Sequence, residues 1–136
     1  MKVHILVPIL NVSSFAASVQ WFEKFGWEKR WDWGEPPVFG CVASENIEIF
    51  LAQGAQGGRG KSDLPTTSTY ADDDKGCWIS LWVHDLDAIH ENCLAQGLEV
   101  TQPPTDQPWG TREMHVRHPD GHVFRIGDHD EECEEE

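Results

Sequence analysis

The stretch QPWGTREMHVRHPDGHVFRIG, residues 107–127, predicts most directly how this chain folds. It opens with a turn that carries Trp109 and continues as a strand over 111–117. The segment HPDG at 118–121 predicts a tight turn, because proline presets φ and glycine supplies a positive φ. Residues 122–126 return as a second strand, since valine and phenylalanine suit a pleated, half-buried surface. The stretch therefore predicts a β-hairpin with an aromatic side chain at its entrance.

Outward from this hairpin, a helix–glycine–strand pattern occurs twice. Apolar residues three or four apart predict a first helix that Ser13 or Ser14 would cap and Gly26 would end. A second helix, capped by Asp85, ends at Gly97, which lies 71 positions after Gly26. Each half of the chain then reads strand, helix, strand, strand, strand, so the repeat predicts two tandem βαβββ modules.

The opening residues predict the first strand. Val3 to Leu10 is an apolar run, and Pro8 within it indicates an edge, a bend or a point where the strand leaves the sheet. No charged, apolar and small-residue leader pattern is present, so a cytoplasmic protein is expected. Mean hydropathy is −0.49, and no apolar run approaches the length of a membrane span.

The composition favours one acidic domain. The chain has 136 residues and a formal charge of −14, part of which belongs to an acidic tail at 128–136. Nucleic acid is an unsuitable partner for so acidic a chain, whereas a cationic small molecule is suitable. The tail is expected to be solvated.

Four cysteines, Cys41, Cys77, Cys93 and Cys133, form no C-x-x-C pair, which argues against a structural zinc site. In a cytoplasmic protein they are expected to be free thiols. Cys41 and Cys77 lie in apolar strand patterns and are expected to be buried.

The hairpin resembles the end of the glyoxalase/bleomycin-resistance/extradiol-dioxygenase (vicinal oxygen chelate) superfamily, and its Pro-Trp-Gly is most similar to the bleomycin-resistance branch. The resemblance continues in VPIL at 7–10, WFEKFG at 21–26 and the segment 39–51. It implies an α+β fold in which two βαβββ modules form curved half-sheets around a cleft, and often a homodimer. The expected organisation is a single domain over 1–127 with an acidic tail over 128–136. Within that domain, module one covers about 1–53, a long loop 53–75 and module two about 76–127.

The resemblance raises the question of a metal. Enzymes of the superfamily hold a divalent cation with His and Glu at four inward positions, which here align with Val7, Phe50, Trp78 and Arg125. None of these side chains is a suitable ligand, so no metal or other cofactor is expected. A weak site at His115 and Glu113, on one face of a strand, stays open as an alternative.

Aromatic residues occupy the expected cleft instead. The resemblance aligns Phe39 and Trp109 with the drug-binding surface of bleomycin-resistance proteins, with Gly110 and Glu113 nearby. Aromatic faces bind flat or cationic ligands by stacking and cation–π attraction. The predicted ligand-binding residues are Phe39, Phe50, Trp78, Trp82, Trp109, Gly110 and Glu113. By contrast, Trp21, Phe22, Trp27 and Trp31 are predicted to be core, and the acidic run 72–74 to be a solvated loop or the rim of the site.

Three functions follow from these expectations. The first is sequestration of a planar, cationic antibiotic of the bleomycin type, with no catalytic residue and no chemistry. The second is a metal-dependent lyase, isomerase or dioxygenase. The third is an interaction module without a small ligand.

Overall fold

The computed structural model describes residues 1–60 and 76–128. The chain divides into two compact units, Met1–Arg59 and Gly60–Glu136. Within the described residues, each unit contains one helix and one four-stranded mixed sheet in βαβββ order. The α+β class and the two predicted modules are therefore confirmed.

The first unit is built on a sheet with strand order β1-β4-β3-β2, in which β1 runs parallel to β4 and the other pairs are antiparallel. Its elements are β1 (Ile9–Val12), α1 (Phe15–Lys24), β2 (Glu28–Gly34), β3 (Pro37–Ser44) and β4 (Ile47–Gln53). Helix α1 packs against β2, β3 and β4 on one face of this sheet.

Helix α1 begins and packs as its sequence predicts. The Ser14 hydroxyl accepts a hydrogen bond from the Ala17 N–H at 3.2 Å, which caps the first turn. Phe15 and Phe22 are buried on the face toward the sheet. Gly40 lies directly beneath the Phe15 ring, where a Cβ atom would come within 2.6 Å of the ring. The helix and the sheet are therefore in close contact at this point.

The second unit has strand order β5-β8-β7-β6, with β5 parallel to β8. Its elements are β5 (Trp78–Val83), α2 (Leu86–Ala95), β6 (Glu99–Asp106), β7 (Arg112–Arg117) and β8 (Val123–Asp128). Helix α2 packs against β6, β7 and β8. Asp85 occupies the N-cap position of α2 but makes no side-chain capping bond, so that part of the prediction was wrong.

The predicted first strand was also too long. Strand β1 begins at Ile9, and Val3, Ile5 and Leu6 are exposed. Pairing with β4 starts at the Pro8 carbonyl, which accepts from the Phe50 N–H at 2.9 Å. Because proline has no N–H to donate, Pro8 marks the end of the ladder.

The sequence predicts a short strand over 98–101, whereas strand β6 continues to Asp106. Its range includes Pro103 and Pro104, and the pairing with β7 shifts register between Gln102 and Thr105. This is tolerated because β6 lies at the edge of its sheet, where a missing donor and a bulge cost little.

Two buried histidines flank the turn at 118–121. His118 Nδ1 accepts from the Asp120 N–H at 3.0 Å, and His122 Nδ1 accepts from the Cys77 N–H at 2.9 Å. Cys77 itself is exposed, contrary to prediction, because it precedes β5 and uses its backbone rather than its side chain here. Among the helices of the described residues, none has the length and apolarity needed to cross a membrane.

Candidate functional site

The face of the second sheet that carries Arg125 holds three of the seven predicted ligand-binding residues, Trp78, Trp82 and Glu113. The core side of β7 and β8 carries buried apolar side chains, namely Met114, Val116, Phe124 and Ile126. The side chains of Glu113, His115 and Arg125 alternate with them and therefore lie on the opposite side, the face that carries Arg125. The strand register places Ser80, Arg125 and His115 in one row, and Trp82, Gly127 and Glu113 in the next. The "Arg125 face" is defined here by Trp78, Ser80, Trp82, Glu113, His115 and Arg125.

An ion pair between Arg125 and Glu113 lies in this face. Arg125 Nε donates to Glu113 Oε1 at 3.0 Å, and Nη2 donates to Oε2. The remaining guanidinium nitrogen, Nη1, donates to Ser80 Oγ at 3.1 Å. The Glu113 side chain is 2% exposed, whereas that of Arg125 is 25% exposed. The carboxylate is therefore enclosed while the guanidinium can still be reached from solvent.

Trp109 is attached to the same carboxylate. Its indole Nε1–H donates to Glu113 Oε2 at 2.9 Å, and the Thr111 hydroxyl donates to the same oxygen. The Trp109 residue is nevertheless 63% exposed. Gly110, at φ 98°, closes the turn by donating its N–H to the Gln107 carbonyl at 3.0 Å. Glu113 thus orients Trp109 rather than offering a free charge to a ligand.

The titration of the groups around Arg125 follows from these contacts. Burial raises the pKa of Glu113, but hydrogen bonds from Thr111, Trp109 and Arg125, with the Arg125 charge, outweigh it and leave the pKa lowered. Burial lowers the pKa of His115. At neutral pH Glu113 is ionised, His115 is uncharged, and the charges of Glu113 and Arg125 compensate each other.

Two exposed tryptophans stand on either side of Arg125 along β5. Trp78 is 69% exposed and Trp82 is 45% exposed. The Trp78 ring meets His115 edge-on at 6.1 Å, and the Arg125 guanidinium lies 5.7 Å from the Trp82 ring centroid. Trp82 also covers Gly127, where a Cβ atom would come within 2.5 Å of the ring. From the two-residue repeat of a strand, the sequence predicts that Trp78 and Trp82, four positions apart, share a face, and the structure has both on this face.

Gly127→Ala is expected to displace the Trp82 ring and to lower the free energy of unfolding by about 1–3 kcal/mol, because the added methyl group has no space. Urea unfolding of the variant measures the loss. In a Trp82→Ala background the same change should cost little, since the obstructing ring is gone. Equal losses in both backgrounds would show that Trp82 is not the obstacle.

A second aromatic group lies on the sheet of the first unit. Trp31, Phe39 and Phe50 pack with ring centroids 5.1–5.7 Å apart. Trp31 is 40% exposed, so its assignment to the core was wrong. The register explains this, because Trp31 and Phe50 both pair with Cys41, on the face opposite to Gly40 and helix α1.

The other core assignments hold, since Trp21, Phe22 and Trp27 are all buried. Burial also raises the pKa of Cys41 to about 11, which keeps this thiol protonated.

The four positions aligned with metal ligands do not fit a divalent cation. The side chains of Val7, Phe50 and Trp78 have no atom that coordinates a divalent metal ion, and Val7 also precedes β1. Arg125 is itself a cation and is bound to Glu113. Within 1–60 and 76–128, no group of three or more His, Cys, Asp or Glu side chains is arranged to hold a metal ion. His115 and Glu113 do share a face, but Glu113 is bound by Arg125, Trp109 and Thr111.

Sequence reasoning missed Ser80 and the part that Arg125 plays. The signal that could have found them was the spacing of alternate residues in β5, β7 and β8, which places Arg125 between Ser80 and His115. The predicted acidic rim at 72–74, most of the loop 53–75 and most of the acidic tail lie outside the described residues.

Comparisons with known proteins agree with this fold. The family profile described as Glyoxalase/Bleomycin resistance protein/Dioxygenase superfamily matches residues 3–126. Among curated protein sequences, none matches the chain.

Several solved structures are similar in fold. TioX from Micromonospora sp. ML1 has a TM-score of 0.70 at 22% identity, over 91% of this chain and 97% of that one. A bleomycin-binding protein complexed with bleomycin has a TM-score of 0.67 at 16% identity, over 94% of this chain and 100% of that one. A bleomycin resistance determinant encoded on the transposon Tn5 has a TM-score of 0.68 at 16% identity, over 94% of this chain and 99% of that one.

Proposed function

Since the chain belongs to the Glyoxalase/Bleomycin resistance protein/Dioxygenase superfamily, we propose that it binds and sequesters a planar, cationic antibiotic of the bleomycin type without transforming it. The observation that carries this proposal is the set of exposed tryptophans on and beside the Arg125 face. Trp78, Trp82 and Trp109 are between 45% and 69% exposed. Large aromatic side chains left open to solvent on one sheet face offer stacking surface to a flat ligand.

The orientation of Trp109 supports the same function. Its indole N–H is anchored to a carboxylate that is itself held by Arg125 and Thr111. A ring held in place before the ligand arrives loses less conformational entropy on binding. Trp109 therefore combines an exposed stacking surface with a defined orientation, while Glu113 is a positioning residue.

The charge of the protein supports a cationic ligand at long range. A formal charge of −14 attracts cations toward the protein, and aromatic faces bind them by cation–π attraction. Bleomycin is the first compound to test, because one structure similar in fold is a complex with it. We propose Phe39 and Phe50 as additional ligand contacts in the first unit, together with Trp31, which packs against both.

The deciding experiment is calorimetric titration of the purified protein with bleomycin and with unrelated cationic aromatics, alongside elemental analysis. Saturable binding of bleomycin with no bound metal supports sequestration. One equivalent of divalent metal per chain, with activity lost on chelation, would instead support the metal-dependent lyase, isomerase or dioxygenase. Failure of every compound to bind would favour an interaction module.

Trp109→Ala is expected to weaken binding of bleomycin by about tenfold or more, because an exposed stacking surface is lost. The melting temperature should fall by no more than about 4 °C, since the ring is largely exposed. Titration calorimetry and thermal unfolding measure the two effects. Trp109→Phe, which keeps a ring but loses the N–H donor, should retain part of the affinity. A large fall in melting temperature with unchanged affinity would show that Trp109 stabilises the fold instead.

The oligomeric state, the organisation of the chain and the location complete the proposal. We propose a homodimer with one domain over 1–127, an acidic tail over 128–136 and a cytoplasmic location. Cys41, Cys77 and Cys93 are free thiols in the described part of the chain, which suits a reducing compartment. Sedimentation equilibrium measures the oligomeric state.

A further inference from the structure

Arg125 is the charged group at the centre of the exposed aromatic surface of the second unit. It lies in the row with Ser80 and His115, and the adjoining positions of β5 carry Trp78 and Trp82. Its side chain is 25% exposed, so a ligand that contacts the tryptophans on either side can also reach the guanidinium.

The hydrogen bonds of Arg125 leave part of the guanidinium available. A guanidinium has five N–H donors. Within the described residues, Arg125 donates to Glu113 through Nε and Nη2 and to Ser80 through Nη1. Each terminal nitrogen thus has a further N–H that no described residue accepts. The guanidinium is held in one orientation by its neighbours and still presents donors to a ligand.

The charge around these donors is already compensated. Glu113 lies against the guanidinium, and His115 on the other side is uncharged at neutral pH because its burial lowers its pKa. The neighbouring row contains a second compensated pair, Arg117 Nη2 with Glu99 Oε2 at 2.8 Å. The face therefore offers directed hydrogen-bond donors without an uncompensated carboxylate that would attract a cation.

We infer that Arg125 selects the ligand by binding a hydrogen-bond acceptor, a carbonyl or carboxylate oxygen, at the edge of a planar aromatic group held between Trp78 and Trp82. This inference rests on the proposed function only in taking the Arg125 face as ligand-binding. It assigns an orientation to such a ligand: the acceptor edge faces Arg125, and any cationic part extends away from it. Arg125 is thereby a specificity-determining residue. A hydrogen-bond donor or a cation in the same place would face a positively charged group that has N–H donors and no acceptor.

Three probes with one ring system test this orientation: 2-naphthamide, 2-naphthoate and naphthalen-2-ylmethylammonium. The amide and the carboxylate are expected to bind the protein about tenfold or more tightly than the ammonium compound, since only they accept from the guanidinium. Equal affinities for all three, or a preference for the ammonium compound, would overturn the inference.

Two variants that lack the Glu113 charge separate the role of Arg125 from the stability of the ion pair. In Glu113→Gln the guanidinium is uncompensated, so the preference for naphthoate over naphthamide should rise by about tenfold. The double variant E113Q/R125M differs from Glu113→Gln only in lacking the guanidinium. In it, the preference for both acceptors over the ammonium compound should disappear. A preference that survives in the double variant would overturn the inference. Thermal unfolding confirms that both variants are folded.

Bleomycin titration distinguishes this inference from the proposed function. If bleomycin does not bind but the naphthyl series follows Arg125 as described, the ligand selection stands and the antibiotic function fails. If bleomycin binds equally to the E113Q and E113Q/R125M variants and the naphthyl series shows no acceptor preference, the ligand selection fails and sequestration stands.

Discussion

Arg125→Met is expected to lower the free energy of unfolding by about 3–5 kcal/mol, because it leaves a buried carboxylate without its cation. Glu113 is 2% exposed, and after the substitution only the Thr111 hydroxyl and the Trp109 indole would donate to it. Desolvation would then dominate, so the pKa of Glu113 should rise in the variant. Urea unfolding at neutral pH measures the loss of stability.

Arg112→Met is the matched control in the neighbouring part of the sheet. Arg112 forms two ion pairs at 3.1 Å, with Asp87 and Asp106, but these partners are 71% and 84% exposed. Solvent screens such pairs, so this variant should lose no more than about 1 kcal/mol. The double variant E113Q/R125M should recover most of the stability lost in R125M, since the uncompensated buried charge is absent. Similar small losses in R125M and R112M would contradict the importance assigned to burial.

The free energy of unfolding is expected to fall by about 3 kcal/mol between neutral pH and pH 4 because of His118 alone. Burial, as the largest cause, and the neighbouring His122 together lower the pKa of His118 to about 4, although Asp120 opposes both. In the unfolded chain a histidine has a pKa of about 6.5 and binds its proton first. The contribution is therefore fully present above about pH 6.5 and is lost as the pH falls toward 4. Chemical unfolding across this range measures the slope.

His118→Asn tests the assignment to this residue. An asparagine carbonyl can accept the Asp120 N–H in place of Nδ1, so the turn keeps a partner while the titration is removed. The variant should unfold more easily at neutral pH, because a fully buried ring is replaced, but with a shallower dependence on acid. His4→Asn, at an exposed position, should keep the slope of the original protein. A slope unchanged in His118→Asn would assign the acid sensitivity to another group.

The elements themselves were largely predictable from local sequence. Apolar residues three or four apart predicted α1, and the glycine at position 26 adopts the φ of 99° that ends it. Alternation predicted that Trp78 and Trp82 share a face, because a strand repeats every two residues. The prediction of the first strand was wrong at its beginning. Val3 and Leu6 are as apolar as the residues of β1, yet they are exposed and lie before the strand in the described chain. Apolar character alone does not supply a partner strand.

The site depended much more on pairing between distant residues. The sequence predicts Trp31 to be core, but its register opposite Cys41 puts it on the open face with Phe39 and Phe50. The sequence marks Arg125 only as a side chain unable to bind a metal. Its bonds to Glu113 and Ser80 cross from β8 to β7 and to β5, over sequence separations of 12 and 45.

The sequence by itself determined the two βαβββ modules, their family and the wealth of aromatic side chains, because these follow from periodicities and motifs within short segments. Only the tertiary structure decided which rings are exposed, that Glu113 is committed to Arg125, and that Trp109 is oriented by this pair. The physical reason is that burial and charge compensation depend on strand register, and register joins residues that are far apart in the chain.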